Sequence, residues 1–316
     1  MLFVAAVGLL AADDSGDAIG THGATFVAIG VVMTGTGVVL TVALAALLDA
    51  AVDPWLVRGS FMGTHTSSPG LAAALESAPA DAHDAIGAGY SVTYMLGIVF
   101  VILFEELAPP ALKLDVESER RRYRETVCGP GSTPTDPPSV PFSLAGFALA
   151  IVLGSPVDQF HVPLGPLGSM AMSLAGGTLI AALVVGYVGP IETRMSTEIL
   201  VQIREVALGI FLAVVGVQSS GTFVEAVAAG GPALLACSVV IALGSMLAGL
   251  ALATVVWDLH WISTAGSISG GMTSTPGLGA AVAMTDTEEV GAAYGATYPF
   301  ALLGMVLFSK LLVLLT

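Results

Sequence analysis

Four stretches of this 316-residue chain are apolar over the length that a helix needs to cross a lipid bilayer. They are residues 24–52, 87–107, 232–257 and 292–315. A spanning α-helix needs about 20 mostly apolar residues, because the hydrocarbon core is about 30 Å thick. One such stretch can be a buried core helix, but four in one chain predict an all-α, polytopic membrane protein. Charged residues make up 10% of the chain, far below the roughly 25% of soluble domains, which agrees with the bilayer as solvent.

The sequence also contains three short blocks that recur in the same order about two hundred residues later. They are FVAAVG at residue 3 with FLAVVG at 211, TSSPGL at 66 with TSTPGL at 273, and YSVTY at 90 with YGATY at 294. Low complexity in two Gly- and Ala-rich membrane sequences explains the first pair alone, but not the T-S-[ST]-P-G-L string. The preserved order and spacing therefore predict an internal duplication.

The duplication divides the chain into a first membrane repeat at 1–110, a linker at 111–141 and a second membrane repeat at 142–316. Arginines at 120, 121, 122 and 124 place the polar linker on the cytoplasmic side by the positive-inside rule. The second repeat has residues 142–207 before its first shared block, whereas almost nothing precedes that block in the first repeat. We expect the first repeat to lack roughly 65 residues at its start.

Charge and motif content exclude several classes of function. The net charge of −15, with two lysines against seven arginines, is typical of a halophilic protein and offers no basic patch for nucleic acid. Two cysteines and five scattered histidines predict neither a metal site nor another cofactor. Since no G-x-S-x-G elbow and no Walker or dinucleotide glycine pattern is present, the chain is not expected to be an enzyme.

The segments at 59–76 and 266–284 lie beside the apolar runs yet are rich in hydroxyls, glycine and proline. Proline and glycine break a helix and free backbone groups that need protein or water partners at membrane depth. Such segments at matching positions of two repeats predict a transporter's binding site, where hydroxyls and helix N-termini meet an anionic solute. The alternative is that small residues only allow close helix packing. The predicted binding residues are Thr66, Ser67, Ser68, Pro69, Thr273, Ser274, Thr275 and Pro276.

A tyrosine pair with an intervening threonine follows each of these segments. The residues are Tyr90, Thr93 and Tyr94 in the first repeat, and Tyr294, Thr297 and Tyr298 in the second. Tyrosines at i and i+4 share one face of a helix, so each pair is a candidate lining of the solute cavity. An aromatic belt at the membrane interface explains the same pattern equally well.

Charged residues are scarce in the apolar runs, although proton-coupled pumps usually contain an intramembrane carboxylate or histidine. Glu105 with Glu106, and Arg204 with Glu205, are expected at the interface, with Arg204 also a candidate clamp for a carboxylate. His65 is the titratable group within the first hydroxyl motif, but its counterpart in the second repeat is Met272.

These motifs resemble the aspartate:alanine exchanger family, in which a G-x-x-T-S-T-P-like segment precedes a G-Y-x-x-T-Y-P-like helix in each of two duplicated membrane domains. Here the strings are GTHTSSPGL with GYSVTYM, where Met95 replaces the proline, and GGMTSTPGL with AYGATYP. The resemblance implies two inverted repeats, each with about five spanning helices and a re-entrant or broken hairpin, at 61–75 and 268–282. It also implies exchange of small amino acids or carboxylates by alternating access. The family's central regulatory domains are replaced here by the short linker.

The sequence therefore predicts a secondary active exchanger in the cell membrane, with a small amino acid or carboxylate and the lipid bilayer as partners. Two alternatives remain open: a sodium- or proton-coupled permease of related fold, and a non-transporting partner subunit of a larger carrier. The sequence leaves the coupling ion and a homo-oligomer open as well.

Overall fold

The structure of the protein is a computed structural model. It describes residues 1–10, 12–48, 52–127, 141–154, 156, 161–163, 169–171, 174–188, 195 and 197–314. Side chains at 13–22, 161–163, 169–171, 174–176, 197–198, 211–230 and several single positions lie outside this description. The second part of the predicted linker, residues 128–140, and the side chains of the predicted repeat block at 211–216 fall outside it too.

The described chain is built almost entirely of α-helices, which confirms the predicted all-α class. In chain order they are α1 (Leu2–Leu10), α2 (Ala12–Leu48), α3 (Pro54–Thr64), α4 (Ser68–Ser77), α5 (His83–Leu112), α6 (Val116–Val127), α7 (Leu144–Gly154), α8 (Leu174–Val188), α9 (Thr197–Ala251), α10 (Trp261–Gly271), α11 (Thr275–Thr285) and α12 (Val290–Leu314). A 3₁₀ turn, Ala80–Ala82, precedes α5, and a π-helical turn, Leu252–Val256, follows α9. Two three-residue strands, β1 (His161–Pro163) and β2 (Ser169–Ala171), pair antiparallel.

Each of the four predicted apolar runs overlaps a helical segment that is long and apolar enough to cross a membrane. These helical segments are Gly23–Leu48, Ala80–Leu112, Gly231–Val256 and Val290–Leu314. Their outer faces carry exposed aliphatic side chains, such as Val39, Leu103 and Leu247, which suit contact with lipid. The protein is therefore a multi-pass membrane protein, as predicted.

Close helix contacts hold each of the two predicted repeats together. In the first, α3 packs against α5, and a Cβ atom at Gly59 would lie 3.0 Å from the Tyr90 amide nitrogen. In the second, α10 packs against α12, and a Cβ atom at Gly266 would lie 3.0 Å from the Tyr294 amide nitrogen. Glycine at these positions lets the two backbones approach each other, as in other membrane helix pairs. The small-residue explanation of the motifs therefore holds for these glycines.

Contacts between the predicted repeats are crosswise. Helix α4 of the first packs against α12 of the second, and α11 of the second packs against α5 of the first. Each short helix that follows a break thus rests on the long helix of the other predicted repeat. The two parts of the chain consequently share one helical core.

The charged run of the linker forms α6, which docks on the chain around α10 and α11. The Glu119 carboxylate accepts a hydrogen bond from the Trp261 amide at the start of α10, at 2.6 Å. The Arg120 guanidinium donates to the carbonyl oxygens of Thr285, the last residue of α11, and of Asp286, the latter at 2.6 Å. The first residue of α10 and the last residue of α11 therefore lie beside the same linker helix.

Helix α12 runs from the face of the molecule where α6 lies to the face where α4 ends. At its start, Glu289 pairs with Arg124 of α6 at 3.4 Å. Near its end, the buried ammonium of Lys310 pairs with Glu76 in the last turn of α4 at 2.7 Å. Since a 25-residue helix is about 37 Å long, α4 and α11 end on opposite faces of the bundle.

The contact of α3 with α5 predicts that Gly59→Ala destabilises the protein. The added methyl group would meet the Ile86 carbonyl, and overpacking of this kind typically costs about 1–3 kcal/mol. Gly87→Ala on α5 is the matched control, because no atom lies within 4 Å of a Cβ there. Thermal unfolding of purified protein in detergent should show a lower midpoint for Gly59→Ala and an unchanged or higher one for Gly87→Ala. Equal midpoints would show that this contact does not limit stability.

Candidate functional site

The two hydroxyl motifs form breaks between helices, and both breaks have the same backbone geometry. Helix α3 ends at Thr64 and α4 begins at Ser68, while α10 ends at Gly271 and α11 begins at Thr275. In each break the threonine of the motif adopts a left-handed conformation, with φ of 52° at Thr66 and 48° at Thr273. Threonine rarely adopts positive φ, so tertiary contacts must hold both residues in this conformation.

The serine of each motif caps the helix that follows the break. The Ser67 hydroxyl accepts a hydrogen bond from the Gly70 amide, and the Ser274 hydroxyl accepts one from the Gly277 amide, both at 3.2 Å. Pro69 and Pro276 follow in the first turns of these helices. The N–H groups of a first turn have no partner within the helix, so a proline there removes no helical hydrogen bond. Ser67 and Ser274 therefore serve as N-caps, a local role that also aims two helix N-termini at the breaks.

The threonine of each break binds backbone carbonyls of the other break. The Thr66 hydroxyl lies 3.1 Å from the carbonyl oxygens of both Met272 and Thr273. In return, the Thr273 hydroxyl donates to the carbonyl oxygen of His65 at 2.5 Å. These carbonyls belong to helix ends that would otherwise lack partners inside the bilayer. The two breaks thus meet in direct contact. Each provides a side chain that satisfies polar groups of the other, although Thr66 and Thr273 are 207 positions apart in the sequence.

The remaining hydroxyl of each motif joins a tyrosine of the pair that follows. Ser68 and Tyr90 are hydrogen-bonded at 2.9 Å, and Thr275 lies beside Tyr294. The second tyrosine of each pair contacts the first. The rings of Tyr90 and Tyr94 are tilted with centroids 5.3 Å apart, and those of Tyr294 and Tyr298 are stacked with centroids 5.4 Å apart. Each break therefore continues into a hydroxyl group and two aromatic rings.

These two groups differ in exposure. Ser68 is exposed and both Tyr90 and Tyr94 are half-buried, whereas Tyr294 and Tyr298 are only 1% and 5% exposed. The second pair is covered because it belongs to an apolar cluster that includes Phe3 and Val7 of α1 and Leu183 of α8.

The two threonines of the tyrosine motifs lie inside the helix contacts. Thr93 is fully buried and donates to the Gly89 carbonyl at 2.8 Å, beside Gly63 of α3. Thr297 is also fully buried, next to Gly270 of α10, and its hydroxyl has no hydrogen-bond partner among the described residues. The structure thus places both threonines at helix–helix contacts beside the breaks.

Two charged or titratable candidates from the sequence have other contacts. Arg204, a candidate carboxylate clamp, forms an ion pair with Glu288 just before α12. The buried ring of His65 lies 4.9 Å from the Phe61 ring, and its Nδ1 is 3.1 Å from the Phe61 carbonyl oxygen. His65 contributes its own carbonyl oxygen to the meeting of the breaks, as the acceptor for Thr273.

One residue near the breaks was misjudged from the sequence. Glu105 was expected at the interface with Glu106, but its side chain is 0% exposed and accepts a hydrogen bond from Ser269 at 2.8 Å. The sequence did not predict this burial, because the expectation ignored helical phase. Val101 and Ala108, which lie one turn before and one turn after Glu105 on the same face of α5, are both buried, while Glu106 points outward.

Other kinds of site find no support in the described part of the chain. It contains no group of three or more His, Cys, Asp or Glu side chains that could hold a metal ion. An apolar crevice of about 370 Å³ lies between α5 and α9, lined by residues such as Phe104 and Leu247, and none of the predicted binding residues lines it. The polar breaks remain the candidate site.

Membrane-length helices that enclose two hydrogen-bonded helix breaks define a multi-pass membrane protein with a polar centre, the general architecture of a permease. The sequence model of the family described as "Predicted Permease Membrane Region" matches residues 1–110 and 146–314. The chain belongs to this family.

The curated relatives carry names that indicate transport. An uncharacterized transporter of Bacteroides thetaiotaomicron is 33% identical over 168 residues, which cover 52% of this chain and 32% of the relative. A putative transport protein of Photobacterium profundum is 32% identical over 175 residues, which cover 54% of this chain and 31% of the relative. The chain thus spans about a third of the length of these relatives, and the comparisons support a transporter. No solved structure matches the chain.

The mutual hydrogen bonds of the breaks predict that Thr66→Val and Thr273→Val each destabilise the protein. Valine keeps the shape of threonine but leaves buried carbonyls unpaired, which costs about 1–3 kcal/mol. Since both hydroxyls stabilise one contact, the double variant should lose less than the sum of the two single losses. Unfolding in detergent measures all three variants, with Thr126→Val as control, because the exposed Thr126 bonds only within its own helix. Strict additivity would show that the two bonds act independently.

Proposed function

We propose that this protein is a secondary active transporter that exchanges small amino acids or carboxylates by alternating access. The observation that carries the proposal is the meeting of the two breaks, where the Thr66 hydroxyl binds carbonyls of the second break and the Thr273 hydroxyl binds the His65 carbonyl of the first. Transporters place solute sites where discontinuous helices meet near the bilayer midplane. Family membership and the names of the relatives support transport, and the resemblance to aspartate:alanine exchangers supports the solute class.

The solute site in this proposal is formed by the breaks and the hydroxyl–tyrosine groups beside them. Helices α4 and α11 both begin at the breaks. Their N-termini carry partial positive charge, which favours a carboxylate group of the solute. Ser68 with Tyr90, and Thr275 with Tyr294, offer hydroxyls on its two sides. No charged side chain is needed in the site, since the backbone amides and hydroxyls supply the donors.

We also infer that the two membrane repeats, 1–110 and 142–316, are inverted relative to each other. The helix pair α10–α11 begins and ends beside α6, whereas α4 ends on the opposite face, near the end of α12. Two re-entrant hairpins that come from opposite faces and meet at their tips would produce these contacts. With the arginine-rich linker on the cytoplasmic side, α10–α11 would be the cytoplasmic hairpin.

Inverted repeats suggest how access to the site would alternate. Tyr90 and Tyr94 are half-buried whereas Tyr294 and Tyr298 are buried, so the two related halves of the site are not equally open. If the second tyrosine pair became half-buried and the first pair became buried, the site would open to the opposite face of the membrane. The bonds between Thr66 and the second break would open or rearrange when a solute enters between the breaks, because these bonds hold the two breaks in direct contact.

The experiment is solute counterflow in proteoliposomes that contain the purified chain. Vesicles preloaded with unlabelled L-aspartate or L-alanine should take up the labelled amino acid from outside, with no ion gradient imposed. Empty vesicles should show no such uptake, because an exchanger needs internal solute. A panel of other small amino acids and dicarboxylates extends the test, and absence of counterflow with every member would contradict the proposal.

The site assignment predicts that Ser68→Ala and Tyr294→Phe weaken solute binding. Each removes one hydroxyl, and the loss of a neutral hydrogen bond should raise the half-saturating solute concentration roughly three- to tenfold. Ser91→Ala and Tyr187→Phe are the matched controls, because both side chains are exposed and lie outside the site. Counterflow at several solute concentrations separates weaker binding from lower protein yield. Unchanged saturation in both site variants would remove these residues from the site.

A further inference from the structure

Glu105 is a fully buried carboxyl group in the membrane-length segment Ala80–Leu112. Its Oε1 atom accepts a hydrogen bond from the Ser269 hydroxyl at 2.8 Å. Its Oε2 atom is also buried and has no hydrogen-bond partner among the described residues. An intramembrane carboxyl group is costly to bury and generally marks a functional site.

The carboxyl group lies beside the second break. Ser269 is in the last turn of α10, and a Cβ atom on Gly277, in the first turn of α11, would lie 3.2 Å from the Ser269 hydroxyl. The same Cβ atom would touch Val101, one helical turn before Glu105 on α5. Glu105, Ser269 and the N-terminus of α11 are therefore neighbours, at the point where α11 crosses over to α5.

The surroundings of Glu105 contain no cation that pairs with it in the described part of the chain. On the elements packed against α5, the described charged or titratable side chains are Arg58 of α3, Glu76 of α4, Asp81 of the 3₁₀ turn, and Arg204 and Cys237 of α9. Arg58 stacks on Trp55, Glu76 pairs with Lys310, and Arg204 pairs with Glu288.

The remaining neighbours do not neutralise Glu105 either. Helices α10 and α11 carry no Asp, Glu, His, Lys or Arg within Trp261–Gly271 and Thr275–Thr285. On α5 itself, His83, Asp84, Tyr90 and Tyr94 lie two or more turns away, and the adjacent Glu106 is exposed and of like charge. Burial without a cation favours the neutral acid. The nearby N-terminus of α11 favours the carboxylate, so the balance depends on how close that helix end is and on access of water.

We propose that Glu105 is an intramembrane proton-binding site of this transporter. The proton resides on Oε2, while Ser269 donates its hydrogen bond to Oε1. Opening of the second break would admit water to Glu105 and let the proton dissociate, which would couple proton binding to the state of that break. The role in transport rests on the proposed function, whereas the protonation of Glu105 does not.

The chain provides this chemistry only once among its described residues. In the first break, a Cβ atom on Gly70 would lie 3.1 Å from the Ser309 hydroxyl and 3.3 Å from Met62. Gly70 and Gly277 occupy the same place in their motifs, so Ser309 and Met62 stand where the second break has Glu105 and Ser269. The described residues therefore predict one proton site of this kind, at Glu105.

Infrared spectroscopy of the lipid-reconstituted protein tests the site without any transport. The native protein should show a protonated-carboxyl C=O stretch at neutral pH that is lost in Glu105→Gln and retained in Glu106→Gln, the exposed neighbour. Ser269→Ala should shift this band without removing it, since only the hydrogen bond to Oε1 is lost. Because Ser269→Ala keeps the carboxyl group, it remains informative even if Glu105→Gln folds poorly. A native protein without the band, or a band that persists in a folded Glu105→Gln variant, would overturn the proposal.

The coupling is tested by uptake of labelled L-aspartate or L-alanine into vesicles preloaded with the unlabelled amino acid, with and without an imposed pH gradient. In the native protein the gradient should change the initial rate, and in Glu105→Gln the ratio of the two rates should fall to unity. A sodium gradient that replaces the pH gradient in driving native uptake would assign the carboxylate to sodium and contradict proton binding. If no solute is transported by the native protein, the proposed function fails, while the infrared result still decides whether Glu105 holds a proton.

Discussion

Backbone polar groups at a break in a membrane helix must find partners within the protein, and the structure of this chain depends on how they do so. Water cannot serve them in the hydrocarbon core, and an unpaired group there costs several kcal/mol. Here the amides that follow each break are capped locally by Ser67 and Ser274, while the carbonyls that precede it are bound by a threonine from the other break. The local caps make each break possible, and the cross-break bonds make the two breaks depend on each other.

The crosswise packing extends this dependence to whole helices. Gly59 and Gly266 allow α3–α5 and α10–α12 to pack backbone against backbone, so each of these pairs behaves as a compact unit. The short helices α4 and α11 instead rest on the long helix of the other unit. Any relative motion of the two units would change the contacts of α4, α11 and the breaks, which is where a solute and a proton would act.

Much of this architecture could be read from the sequence because it arises from local patterns. The four spans follow from apolar runs, and the breaks follow from proline and glycine beside hydroxyl residues. The contact of Thr66 with the second break could not be read, because it joins residues 207 positions apart and depends on tertiary packing. Glu105 was missed since two adjacent glutamates at the end of an apolar run look interfacial until helical phase assigns one of them inward. The role of Thr93 was also beyond reach, because only the packed structure shows that it faces Gly63 and α3.

The docking of α6 makes the inner motion of the protein accessible from outside the bilayer. Helix α6 is hydrogen-bonded to the start of α10 through Glu119 and to the end of α11 through Arg120. Displacement of α10 and α11 must therefore move α6 as well or break these hydrogen bonds. Arg121 and Glu125 point away from the bundle and could carry spectroscopic labels without disturbing either link. Labels on α6 would report movement of α10 and α11, and every membrane-embedded side chain would stay native.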